Sequence, residues 1–168
     1  MPTIIEFVES KELEEMIGID KYPKYKSKFI KIINRAGVGN FHITDESAIN
    51  KLNYGGFVGM GTLNWYAFFF TFFWSLYLNI TSGRNNQWVY LAILIGIYLL
   101  LDAVGFSSII SSIVFFISVA FGVQGNGLFL RELIRKYNNG HRGPIPKSTL
   151  NIFIVLGIFL IYGFVITN

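Results

Sequence analysis

Asp102 is the only carboxylate between Glu46 and Glu132. An ionisable group within apolar sequence is a candidate proton or cation site, because an uncompensated charge is costly there. Asp102 nevertheless stands where an apolar stretch ends, beside Gly105 and a run of serines, and that position favours a solvated turn. No second charge in the neighbouring apolar stretches is available to relay a proton with it. His42 and His141, the only histidines, fall in expected loops without acids at metal-ligand spacing, so neither metal binding nor acid–base catalysis is indicated. Ser107, Ser108, Ser111, Ser112 and Ser118 supply hydroxyls, but no base accompanies them. Cysteine is absent, which excludes disulfides, thiolate metal sites and a cysteine nucleophile. The expectation is a protein that is not an enzyme and that carries no metal or cofactor.

The same region supports a packing role better than a chemical one. Ser107 and Ser111, Ser108 and Ser112, and Ser118 and Gly122 are pairs of small residues four apart, with Gly125 and Gly127 beyond. Small residues at this spacing let helix backbones approach closely. Gln124 and Asn126 are placed to hydrogen-bond across helices or to mark a polar cavity, and packing is favoured. Asp102, Ser108, Ser112, Gly122, Gln124 and Asn126 are therefore the candidates for helix packing or a polar path.

The elements that must position these residues are set by a strong segregation of charge. Only 14% of the 168 residues are charged and 52% are hydrophobic, against about 25% charged in an average soluble domain. Residues 1–35 hold thirteen of the twenty-four charges, and 52–168 hold eight, five of them between Arg131 and Arg142. Four apolar stretches follow from this: 62–80, 88–101, 106–130 and 148–167. Each of the last three reaches the roughly 20 residues of a membrane span once flanking residues are included. The expected fold is all-α: an integral membrane helical protein with three or four membrane-embedded helices. A cytosolic or membrane-surface helical segment over 1–51 precedes the membrane domain at 52–168.

Residues 3–16 read as one helix, acidic overall, with a net charge of minus five over 1–20. A second helix runs from Lys24 to about Arg35, with Tyr25, Phe29, Ile32 and Ile33 opposite Lys24, Lys28, Lys31 and Arg35. Those four basic residues are candidates for lipid-surface contact. Docking on the acidic neighbour is an equal alternative. Residues 36–61 read as a glycine-punctuated loop without a phosphate-binding fingerprint, with a short helix beginning near Thr44 and running through Leu52. The acidic start is not an export signal, and Asn79-Ile80-Thr81 is a short glycosylation pattern of little weight.

Two basic stretches, 21–51 and the expected loop 131–147, should both face the cytoplasm. Four full spans would place three crossings between them and put one outside. The conflict disappears if 62–80, an aromatic segment bracketed by Asn64 and Asn79, does not cross fully. Three spans are then preferred, and four are the competitor.

Within that aromatic segment, Leu63-Asn64-Trp65-Tyr66-Ala67-Phe68-Phe69-Phe70 and Phe73-Trp74-Ser75-Leu76-Tyr77 resemble the signature of bacterial domain-of-unknown-function family 2628. The stretch from Phe121 to Phe129 is similar to a second family feature, a Gly/Asn-containing end to an apolar helix. The lysine-rich 17–29 resembles the region before the signature. Thr71 and Phe72 stand where the family has Gly-Pro, its basic pair is absent at Leu78 and Asn79, and the stretch from Ser148 is additional. The resemblance implies a small protein of the bacterial inner membrane, with a short polar N-terminal region and no assigned activity. The functional expectation is a non-enzymatic accessory or interaction subunit of a membrane complex, with its N-terminus cytoplasmic. Its expected partners are membrane lipids and a membrane protein or a second copy of itself, not nucleic acid. The alternative is an oligomeric channel or transporter for ions or small solutes.

Overall fold

A computed structural model of the chain describes residues 1–53, 63–65, 67–68, 105, 107–145, 153 and 157. The expected stretches 88–101 and most of 62–80 and 148–167, together with Asp102, lie outside them. The described part is all-α, without a strand beyond one isolated bridge between Thr3 and His42. Among the described residues no helix is long and apolar enough to cross a membrane.

Residues 3–16 form two helices rather than one: α1, Ile4–Val8, and α2, Lys11–Ile17. Thr3 opens α1 with a capping box, its N–H donating to Glu6 Oε2 at 2.7 Å while its hydroxyl accepts from the Glu6 N–H. Those bonds hold the Glu6 carboxyl below its ordinary range. The chain breaks at Ser10, whose extended backbone lets its hydroxyl accept from the Leu13 N–H and cap α2. Serine favours such local bonds over continuing a helix. The break turns Ile4, Phe7 and Val8 of α1 and Leu13 and Met16 of α2 into one core.

After Gly18, at φ 97°, helix α3 runs over Tyr22–Ala36, with Pro23 in its first turn and Gly37 closing it in the left-handed region. Asp45, one residue after the expected Thr44, caps α4, Glu46–Lys51, because its carboxylate accepts from both the Ser47 and Ala48 N–H groups. Residues 1–5 pair with 39–43: the Ile4 N–H donates to the Phe41 carbonyl at 2.8 Å and the Ile43 N–H to the Pro2 carbonyl at 3.2 Å.

Helix α5, Ser107–Asn138, is the longest element among the described residues, at 32 residues. It continues to Asn138, into the first half of the stretch expected as the loop 131–147. The charges of that stretch conceal a stripe, Leu130, Leu133, Ile134 and Tyr137, that keeps helical spacing and packs on the N-terminal helices. The Phe7 and Tyr137 rings are 4.9 Å apart, and Phe129 meets Tyr25 at 5.1 Å and Phe29 at 6.1 Å. The helix stops at Gly140, and the Arg142 guanidinium caps it by donating to the Tyr137 carbonyl at 2.7 Å. Beyond it the Ile145 N–H reaches back to the Met16 carbonyl.

One core therefore draws on both sides of the expected division at residues 51 and 52. Residues 1–52 and 129–145 build a single helical headpiece. In the other half of α5, Phe115 and Phe116 are exposed.

Replacing Phe29, fully buried between α3 and α5, by Ala is expected to cost about 3–5 kcal/mol. Phe116→Ala, at an exposed ring, should shift stability by less than about 0.5 kcal/mol. Thermal unfolding followed by circular dichroism under identical conditions separates the two.

Candidate functional site

The site that gathers the sequence candidates is a glycine-lined seat on the middle of α5. Gly122, Gly125 and Gly127 leave its backbone bare over two turns. A Cβ on Gly122 would lie 2.9 Å from Phe68 Cβ, and one on Gly125 would lie 2.8 Å from Ala67 Cβ. A Cβ on Gly127 would collide with the Leu52 carbonyl oxygen. The glycines are thus required by close approach, because the Phe68 and Ala67 side chains and the Leu52 carbonyl occupy the space a Cβ would take.

Asn64 locks the chain into this seat with three bonds. Its backbone N–H donates to the Gly122 carbonyl at 2.9 Å, on a helix oxygen with a lone pair to spare. Its Nδ2 donates to Asn126 Oδ1 at 3.2 Å, and its Oδ1 accepts from the Ala67 N–H at 3.1 Å, capping the helical residues that begin at Trp65. Asn64 and Asn126 are both buried. Asparagine suits position 64 because one side chain must donate and accept at once.

Lys28, from α3, donates through Nζ to the Leu63 carbonyl at 3.1 Å. Its ammonium is pushed below the ordinary lysine range, first by burial and then by Lys24 one turn away. Glu132 is buried 3.7 Å from Lys136, one turn along α5, and burial also lowers Lys136. Arg135 reaches Glu46 of α4 at 3.0 Å, and Asn138 donates to the Ile43 carbonyl.

The remaining candidates disperse. The apolar stripe of α3 is buried against protein, so that face does not lie on lipid, whereas Lys24, Lys31 and Arg35 stay exposed. Ser112 is exposed, Gln124 is half-buried, and Ser108 sits in the first turn of α5 with its side chain outside the described residues. His42 Nδ1 is 3.0 Å from the Met1 carbonyl, and His141 Nε2 is 3.3 Å from the Pro144 carbonyl. Among the described residues no cluster of His, Asp or Glu is arranged to hold a metal.

Asn64, Leu52 and Lys28 take parts that the sequence did not assign them. Asn64 reads as a bracket of an aromatic segment, and nothing local ties it to a residue sixty-two positions away. The Glu132–Lys136 spacing and the Leu130, Leu133, Ile134 and Tyr137 stripe are the signals that the basic stretch is helical.

No family model, no curated protein and no solved structure matches the chain.

Asn64→Ala is expected to cost about 1 kcal/mol for the lost cap and about 1 kcal/mol for the lost bond to Asn126. In a double-mutant cycle with Asn126→Ala, the pair should show a coupling of at least about 0.5 kcal/mol. Strict additivity in chemical denaturation would mean that the amides act independently.

Proposed function

We propose that this chain is a small integral membrane protein whose helical headpiece stands on the cytoplasmic face as a non-enzymatic interaction module. The observation that carries the reading is the composition of the headpiece, which joins both basic stretches, 21–51 and 131–142, in one core. Basic residues collect on the cytoplasmic side of membrane proteins, and two stretches packed together occupy one side. The sequence stretches 62–80, 88–101, 106–130 and 148–167 supply the membrane part. The likeness of 63–77 to the signature of family 2628 supports a bacterial inner membrane.

The contact between Asn64 and Asn126 sharpens the topology within this reading. Asn64 opens the stretch 62–80, Asn126 stands near the end of 106–130, and Lys28 of the headpiece bonds the adjoining Leu63, so the pair at this level fits an even number of crossings between them. Three crossings in all, with 148–167 as the last, satisfy that parity, and four ordinary spans do not. The buried Asn64–Asn126 pair also favours a packing role for these amides over a polar path. The exposed headpiece surface is left to engage a membrane-protein partner or a second copy.

The chain has no cysteine, so single introduced cysteines report location cleanly. Ser47→Cys and Asn139→Cys should both react with an impermeant maleimide from the cytoplasmic side, and Asp102→Cys from the opposite side. Labelling of Ser47→Cys and Asn139→Cys from opposite sides would restore four spans. For the interaction role, affinity purification in mild detergent should recover a stoichiometric partner or a homo-oligomer. A monomer recovered alone contradicts it.

A further inference from the structure

The Lys28 ammonium marks a level on the molecule. It bonds the Leu63 carbonyl, and the next residue, Asn64, bonds the Gly122 carbonyl. Six residues up α5 from Gly122 lies Phe116, with Phe115 beside it, both exposed. At 1.5 Å per residue that separation is about 9 Å. Trp65, also exposed, stands two residues from Leu63. Lysine, tryptophan and then bare phenylalanine is the order of side chains met on passing from headgroups into hydrocarbon.

Burial, and then the Lys24 charge one helical turn away, disfavours the Lys28 ammonium. Among the described residues neither lysine has a carboxylate at ion-pair distance, in contrast to Lys26 with Glu9, Lys136 with Glu132 and Arg135 with Glu46. Among the described residues Lys28 donates to the Leu63 carbonyl, which uses a single N–H of three. Two crowded ammonium groups at a collar between headpiece and apolar stem are complementary to an anion held at that level. A lipid phosphate is such an anion.

We propose that Lys24 and Lys28 bind the headgroup phosphate of an anionic phospholipid at the collar, with Trp65 set beside it at the interface. The proposal rests on the membrane reading and adds a ligand to it. A phosphate between the two lysines offsets their repulsion and fixes the height of the headpiece over the bilayer. The cytoplasmic leaflet is the leaflet that presents anionic headgroups to basic side chains.

The test is native mass spectrometry of the detergent-purified protein titrated with phosphatidylglycerol or phosphatidylcholine. At about 1 kcal/mol per basic residue, the double variant Lys24→Gln/Lys28→Gln should bind phosphatidylglycerol about 30-fold more weakly. The charge-matched variant Lys11→Gln/Lys26→Gln, on the α1–α2 side of the headpiece, should bind as the wild type does. Lys24→Arg/Lys28→Arg should retain binding, which guards against a folding artefact. Phosphatidylglycerol bound equally by both glutamine pairs, or displaced by millimolar inorganic phosphate, overturns the lipid site while leaving the membrane reading intact. Recovery of the protein in the soluble fraction without detergent overturns both.

Discussion

The burial of the C-terminal turns of α5 is the constraint on which the described structure depends. Phe129, Leu130, Leu133, Ile134 and Tyr137 present one stripe, and three of the N-terminal helices answer part of it. α3 answers with Tyr25 and Phe29, α1 with Phe7, and α4 approaches through the Arg135–Glu46 pair. None of the four N-terminal helices is long enough to be stable alone, since isolated helices below about 12–15 residues are marginal, and even the 15 residues of α3 only reach that limit. Their order comes from packing on a strut that arrives from the far end of the sequence. Removal of the strut would uncover Phe29, whose burial contributes about 1.5–3 kcal/mol.

The glycine seat extends that constraint toward the apolar half of α5. At Gly122, Gly125 and Gly127 the helix presents no side chain, and Phe68, Ala67, Asn64 and the Leu52 carbonyl fill the space. Close approach brings dispersion contacts, but it also buries polar groups, which must then be bonded. The two asparagines meet that demand. Their placement at a backbone crossing explains why amides occur in an otherwise apolar stretch: they satisfy one another and fix the register of residues 63–68 against α5.

Much of this was legible in the sequence, and the limits have physical causes. The Tyr25, Phe29, Ile32 and Ile33 stripe and the small residues of 107–127 announce themselves through period, and period is a local property. What a stripe packs against is not local. Lipid, an acidic neighbour and a helix a hundred residues away all satisfy the same pattern, so α3 read equally as a lipid-surface helix or as docked on its acidic neighbour, and it packs both on α1, through Tyr22 and the Lys26–Glu9 pair, and on Phe129. Charge misled in the opposite direction. Arg131, Glu132, Arg135 and Lys136 suggested a loop, yet Glu132 and Lys136 are buried or nearly so while pairing one turn apart. The break at Ser10 was hidden because Lys11 to Met16 are good helix formers, and one hydroxyl cap outweighed them.

Charge and packing together favour one side for the headpiece in a membrane setting. A basic loop and a basic N-terminal segment, taken separately, impose two independent demands on topology, and four equal spans cannot meet both. Once Arg135 is paired with Glu46 and Asn138 with the Ile43 carbonyl, the two demands become one. The cost of carrying any part of this charged core through hydrocarbon then falls on the whole assembly, at about 2.5–3.5 kcal/mol for each Arg, Lys or Asp. On the proposed membrane reading, a folded unit fixes orientation more firmly than either stretch alone. A headpiece that folds around the end of an apolar stem then converts local pairings into one choice of side.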